Sequence, residues 1–205
     1  MVAAETDGRK LRAAERREET RERLLAAAVA VFAEQGFQAG TTKAITQRAG
    51  VAEGLLFHYF PTKSDLLLAV LARDPLKPEV ERLLAELGDQ PVAEALPRMA
   101  RHWLRVLRGN QPIGLVLLLA AHADPQIQGA IGASLLALTG LLASYFARHA
   151  ATGELRSAAP EAAAHLLVQA LCSLAFPCTI LPAADCERLL DQEVDLLLRG
   201  MLARA

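Results

Sequence analysis

Apolar residues recur at three- and four-residue spacing along most of this chain. Leu24, Ala28, Val31 and Phe32 mark one face of a helix that stops at Gln35-Gly36, where glycine suits the position just past a helix end. Phe37 is placed to pack back on that helix. Ala44, Ile45 and Ala49 form the apolar side of a short helix over 42–49, capped by Thr41 or Thr42 and stopped by Gly50, with Val51 plugging the turn. A second short helix follows over 52–59. Two short helices joined by a tight turn containing glycine is the helix-turn-helix layout, whose second helix enters the major groove of duplex DNA. Thr62, with Asp65 three residues on, resembles a capping box and opens a further helix to Arg73. Pro75 and Pro78 then break the chain.

Beyond that break the pattern predicts helices near 79–87, 91–108, 112–122, 126–151, 160–181 and 184–203. Pro91, Pro112, Pro125 and Pro160 suit first helical positions. Pro177 and Pro182 fall late in, or between, the last two. Before Leu24 the apolar periodicity fades. The first ten residues read as disordered, and 11–23, with charges of alternating sign, as a solvated helical lead-in.

Composition supports the helices. Hydrophobic residues make up 53% of the 205, chiefly Leu and Ala, while aromatics are 4%. That balance favours helix over strand. The expected fold is all-α, with a flexible charged arm (1–19), a helix-turn-helix DNA-binding domain (20–73) and a C-terminal helical ligand-binding and dimerisation domain (74–205). The formal net charge of −1 does not by itself indicate a nucleic-acid partner. Residues 1–73 carry 11 basic and 9 acidic side chains and the remainder 11 and 14, so only a local patch can. Cys172, Cys178 and Cys186 form no CxxC pair, and their odd number does not suit a disulfide framework. The start has no signal-like apolar stretch, and the most apolar run, Ile113–Ala123, is too short to span a bilayer. A cytoplasmic protein without a membrane partner is expected.

The stretch Thr20–Leu71 resembles the DNA-binding domain of the TetR/AcrR family of transcriptional regulators. The resemblance is carried by Phe32-x-x-x-Gly36-Phe37, Ala49-Gly50-Val51 and Tyr59-Phe60-x-x-Lys63. It implies a homodimer whose recognition helices read a palindrome, and a C-terminal helical domain whose small ligand relieves repression. It further implies that Thr41 or Thr42 and Lys43 contact phosphates. Ala52, Glu53, Gly54 and Leu55 fall at the start and on the exposed side of the recognition helix, His58 and Tyr59 reach backbone or bases, and Lys63 contacts a phosphate. Ile45, Ala49, Val51, Leu56 and Phe60 match core positions.

The chain departs from the family where Ser-Lys-Gly-Thr-Leu-Tyr is common and Ala52-Glu53-Gly54-Leu55-Leu56-Phe57 stands instead. Two hydroxyls, one cation and a phenolic OH are lost, each a lost backbone contact. Glu53 either accepts from a cytosine amino group or repels the backbone; Leu55 suits a thymine methyl. The arginines and lysine before helix one (Arg9, Lys10, Arg12, Arg16, Arg17, Arg21, Arg23) read either as a groove- or phosphate-tracking extension or as a solvated face nearly cancelled by six acidic residues.

In the body, His102, Trp103, Leu119, His122, Leu142, Tyr145 and His165 lie on apolar helix faces and are candidates for lining a pocket for a small, mostly apolar effector. His165 and Cys172, two turns apart on one helix, are separated by roughly 10 Å of rise, too far for a nucleophile and its base. No zinc-type spacing or phosphate loop occurs, so no enzyme, metal or cofactor is expected. Leu166, Leu167, Leu171, Leu174, Leu189, Leu190, Val194, Leu197, Leu198 and Met201 give the last two helices a large apolar face that suits a dimer interface. The alternative from another class is a helical small-molecule-binding or scaffold protein with a degenerate DNA-reading helix.

Overall fold

The computed structural model describes residues 2–73, 76–88, 90–156, 159–176 and 182–202. Among these are ten helices, α1 (Val2–Ala39), α2 (Thr42–Ala49), α3 (Glu53–Tyr59), α4 (Lys63–Ala72), α5 (Leu76–Leu87), α6 (Val92–Gly109), α7 (Gln111–Ala121), α8 (Pro125–Ala151), α9 (Pro160–Ala175) and α10 (Ala183–Met201). No strand occurs among the described residues beyond one isolated bridge between Leu155 and Leu202. The chain forms two compact units, Met1–Arg73 with Val116–Gln128, and Asp74–Leu115 with Gly129–Ala205.

In the first unit, Leu24, Leu25, Ala28 and Phe32 of α1 are completely buried, as are Ile45 of α2, Leu56 of α3, and Leu66 and Leu67 of α4. Each such leucine contributes about 1.5–3 kcal/mol by leaving water. Gly36, at φ +78°, interrupts α1, and Phe37 turns back edge-on to Phe32 at 5.4 Å. The end of α7, the following turn and the start of α8 belong to this unit. There the Asp124 carboxylate accepts from the Gln126 amide at 2.9 Å and from the Ser64 side chain, which holds its pKa below the usual value.

The N-terminal segment differs from expectation. Val2 onward is helical and continuous with α1, with no disordered lead. Fading apolar periodicity removes a buried face, not helix propensity, and Ala, Arg and Glu are strong helix formers. The division at 73/74 also needs refinement, because 116–128 cluster with the N-terminal residues.

The second unit is built on α6, whose Val92, Ala95, Leu96, Met99, Ala100, Trp103, Leu104 and Leu107 are buried at helical spacing despite Pro97 within the helix. Helices α9 and α10 pack on α6 and on each other. Glu154 joins two ends: its carboxylate accepts from the Val92 amide at 2.5 Å and meets buried His149 at 2.6 Å. This packing divides the apolar face of the last two helices. Leu167, Leu171, Leu174, Leu190, Val194, Leu198 and Met201 belong to the unit's own core, whereas Leu166 and Leu196 are left 61% and 69% exposed. Helix α9 ends at Ala175, Phe176 is extended, and 177–181 of the expected 160–181 helix, with Cys178, lie outside the described residues. By length and composition α8 is apolar enough to cross a membrane. Its Leu138, Leu142, Tyr145 and Phe146 enter this core, so one such helix is not evidence for a membrane location.

Candidate nucleic-acid interface

Local chemistry fixes α2 and α3. Thr41 is the residue that caps α2, its hydroxyl accepting from the Ala44 amide at 3.1 Å. Gly50, at φ +64°, ends α2 in the left-handed region that favours glycine. The turn is closed by the Val51 amide donating to the Thr46 carbonyl at 3.0 Å. Arg23, 26 residues upstream, then clasps the turn. Its Nε donates to the Ala49 carbonyl at 3.1 Å, and one terminal nitrogen donates to Ala49 and Gly50 at 2.5 and 3.0 Å. Sequence reading placed Arg23 among the arm's charges; a contact across that separation leaves no local signature.

On this frame α3 turns Leu56 fully inward and leaves Glu53, Gly54, Leu55, Phe57 and His58 exposed. Leu55 is 37% and Phe57 47% exposed, which leaves two apolar side chains on the bare side of α3. Ala52 precedes α3 without a side-chain cap. Tyr59, half-buried, meets the His58 ring edge-on at 5.7 Å. Lys43 is exposed and Thr42 half-buried at the start of α2.

Lys63 is more committed than its sequence position implied. Its ammonium donates to the Gln38 carbonyl at 3.1 Å and lies 4.7 Å from the Phe37 ring centre. Partial burial lowers its pKa. It therefore pins the last residues of α1, beyond the Gly36 interruption, to the start of α4, itself secured by the reciprocal Thr62–Asp65 capping box.

The structure separates the residues expected to line one pocket. Leu119 and His122 lie in the first unit and both are exposed, His122 Nδ1 meeting the Leu118 carbonyl at 2.9 Å. In the second unit His165 is exposed and His102 is engaged by Glu79 at 2.7 Å. Leu142, Trp103 and Tyr145 are buried, and Trp103 Nε1 and the Tyr145 hydroxyl find no hydrogen-bond partner among the described residues. Burial pushes the Tyr145 pKa up to about 12, with the Glu154 charge adding to it. Among the described residues no three His, Cys, Asp or Glu side chains are grouped to hold a metal ion.

A seven-residue helix with one buried side and one bare side, clamped behind a glycine turn, defines a helix-turn-helix protein. Residues 24–70 match the family of bacterial regulatory proteins called tetR. The transcriptional repressor KstR of Rhodococcus jostii is 34% identical over 110 residues, which cover 54% of this chain and 50% of KstR. The chain thus spans about half the length of that curated relative. A TetR-family structure from Mesorhizobium loti superposes with a TM-score of 0.78 at 19% identity, covering 92% of this chain and 99% of the other. The transcriptional regulator FadR of Bacillus subtilis, in complex with stearoyl-CoA, gives 0.71 at 20% identity, covering 87% and 98%. Over residues 24–70 the chain carries the TetR-family segment, and its fold is that of TetR-family structures.

Proposed function

We propose that the protein is a sequence-specific DNA-binding transcriptional regulator, a homodimeric repressor released from a palindromic operator by a small, mostly apolar ligand. The observation that carries the reading is the bare side of α3, where Glu53, Leu55, Phe57 and His58 stand exposed on a buried Leu56 anchor. The repressor role of KstR supports it. Thr41, Thr42 and Lys43 approach phosphates from the start of α2. Ala52, Glu53, Gly54, Leu55, His58 and Tyr59 meet the groove. Release follows if ligand binds a state whose two recognition helices no longer match successive grooves, and only by its differential affinity for that state. The protein works in the cytoplasm, as a binder of DNA rather than an enzyme.

The ligand reading is supported by Trp103 Nε1 and the Tyr145 hydroxyl. A buried donor left unpaired costs about 1–3 kcal/mol, and native proteins satisfy nearly all of them. A mostly apolar molecule bearing a carbonyl or other acceptor would supply the partner that such donors lack. His102, Leu119, His122 and His165 are less suited to that role than Trp103, Leu142 and Tyr145.

Selection from a randomised duplex pool, followed by titration of the winner at several salt concentrations, tests the DNA reading. A palindromic winner bound with steep salt dependence is expected. No enrichment over random DNA would favour the helical ligand-binding or scaffold alternative. The winning duplex then reports release by apolar carbonyl compounds and, as a separate arm, by stearoyl-CoA, whose acyl chain is apolar but whose coenzyme A part is polyanionic. Tyr145→Phe should weaken release without changing affinity for DNA.

A further inference from the structure

The assignment of α2 and α3 to DNA leaves the start of α1 without a task. Residues 11–19 are all exposed, so no core holds this part of the helix. Its charges are nevertheless sorted by face. Glu15, Glu18, Glu19 and Glu22 fall at i, i+3, i+4 and i+7, a single stripe. Arg12 with Arg16, and Arg17 with Arg21, flank the line of Ala13, Thr20 and Leu24, which continues into the buried Ala27, Ala28 and Val31. The basic side of the extension is thus the side that, further along, faces the helix-turn-helix core; of the acidic stripe, Glu18 borders this side beside Arg17 and Arg21, and Glu15, Glu19 and Glu22 fall on the far side. Beside it, Ala13, Ala14, Arg17, Glu18 and Tyr59 line an open groove of about 430 Å³, so the extension runs past the last residue of α3.

Not all of these arginines are available. Arg23 clasps the turn, and Arg21 is drawn to Glu18 at 3.6 Å and lies 5.8 Å from the Phe60 ring centre. Arg16 makes one bond, from Nε to the Arg12 carbonyl at 3.2 Å, which leaves its terminal nitrogens unused. Arg12 and Arg17 side chains have no ion pair or hydrogen bond among the described residues.

We propose that the exposed start of α1 is a second duplex-binding surface, on which Arg12, Arg16 and Arg17 hold backbone phosphates beyond the bases met by α3, with Tyr59 at the junction. This rests on the reading of α3 as the groove-reading helix. Charge complementarity and continuity with α3 both select duplex DNA as the occupant. Arg12 and Arg16 stand about 6 Å apart along the helix axis, roughly the separation of two adjacent phosphates on one strand. Such contacts fix orientation and add affinity without reading sequence.

The test compares the wild type with the triple variant Arg12→Gln, Arg16→Gln, Arg17→Gln on the selected duplex, once trimmed to the half-sites and once with added flanking base pairs. Glutamine keeps helix propensity, and circular dichroism with thermal melting confirms that the variant folds. On the flanked duplex the salt slope should flatten by about 2–3 per protomer, since each phosphate contact contributes about 0.9. On the trimmed duplex the two proteins should bind alike, and base preferences in selection should be unchanged. Equal slopes on the flanked duplex would overturn the proposal, as would an equal loss on both duplexes. If the wild type binds no duplex, the reading of α3 falls with it; the wild-type curve alone separates that failure from the other two.

Discussion

Lys63 illustrates how a residue proposed to touch DNA is also held within the fold. A partly buried ammonium against Phe37 and a carbonyl bond to Gln38 are each worth about 1–2 kcal/mol in comparable settings. Lys63→Met is therefore expected to lower unfolding free energy by about 1–3 kcal/mol in urea denaturation, whether or not DNA is present. A variant as stable as wild type would assign the ammonium to DNA alone. Leu55→Ala, by contrast, should leave stability nearly unchanged and alter selection at one base position by about 1–3 kcal/mol. An unchanged selection profile would remove Leu55 from the readout. The sequence marked both residues through their place in the motif. It did not reveal that Lys63 is held by the Gln38 carbonyl, because residues 25 positions apart meet only in the folded chain.

At the scale of elements, caps and turns were the most legible parts. Thr62 with Asp65, Gly50 and the Gly36 interruption all act where their residue types place them, because each satisfies or strains the backbone within a few positions. Thr62→Ala should cost about 1 kcal/mol, read as a drop in melting temperature. Helix faces were less legible. The leucines of α9 and α10 showed a face without showing its partner, and α6 covers most of it. Charge pairing between elements was not legible either. Glu79 in the first turn of α5 is held by Arg82 first and by His102 of α6 second, which lowers its pKa to about 2. A depressed folded-state pKa contributes stability above the ordinary carboxylate range, and that contribution is lost as pH falls toward 2. Acid titration monitored by circular dichroism should show a smaller loss of stability between pH 5 and 2 in Glu79→Gln than in wild type. Parallel curves would show the pair to be inert.

For the whole molecule, the two leucines that α9 and α10 leave exposed are the place to test assembly. Leu166→Glu with Leu196→Glu should convert the proposed dimer to a monomer in sedimentation equilibrium with helix content retained. A dimer that persists would put the interface elsewhere. The all-α fold was readable because leucine-rich periodicity and proline punctuation are local properties. The assignment of 116–128 to the first unit was not, since it depends on which distant helices those residues touch. The pocket residues behaved similarly: periodicity put seven side chains on apolar faces, and only packing left Trp103 and Tyr145 as the buried donors without partners.

The clasp of Arg23 on the Ala49 and Gly50 carbonyls sets the size of the smallest transplantable piece. Helices α2 and α3 have eight and seven residues, well under the roughly 12–15 that an isolated helix needs in water. A peptide cut from Thr41 to Phe60 would contain the whole motif as written and should be unstructured. Grafting it into another scaffold to confer DNA recognition should fail for the same reason, unless the host supplies a guanidinium where α1 now does. An excised reading head must start upstream of Arg23, and its cargo is a three-dimensional joint rather than a string of twenty letters.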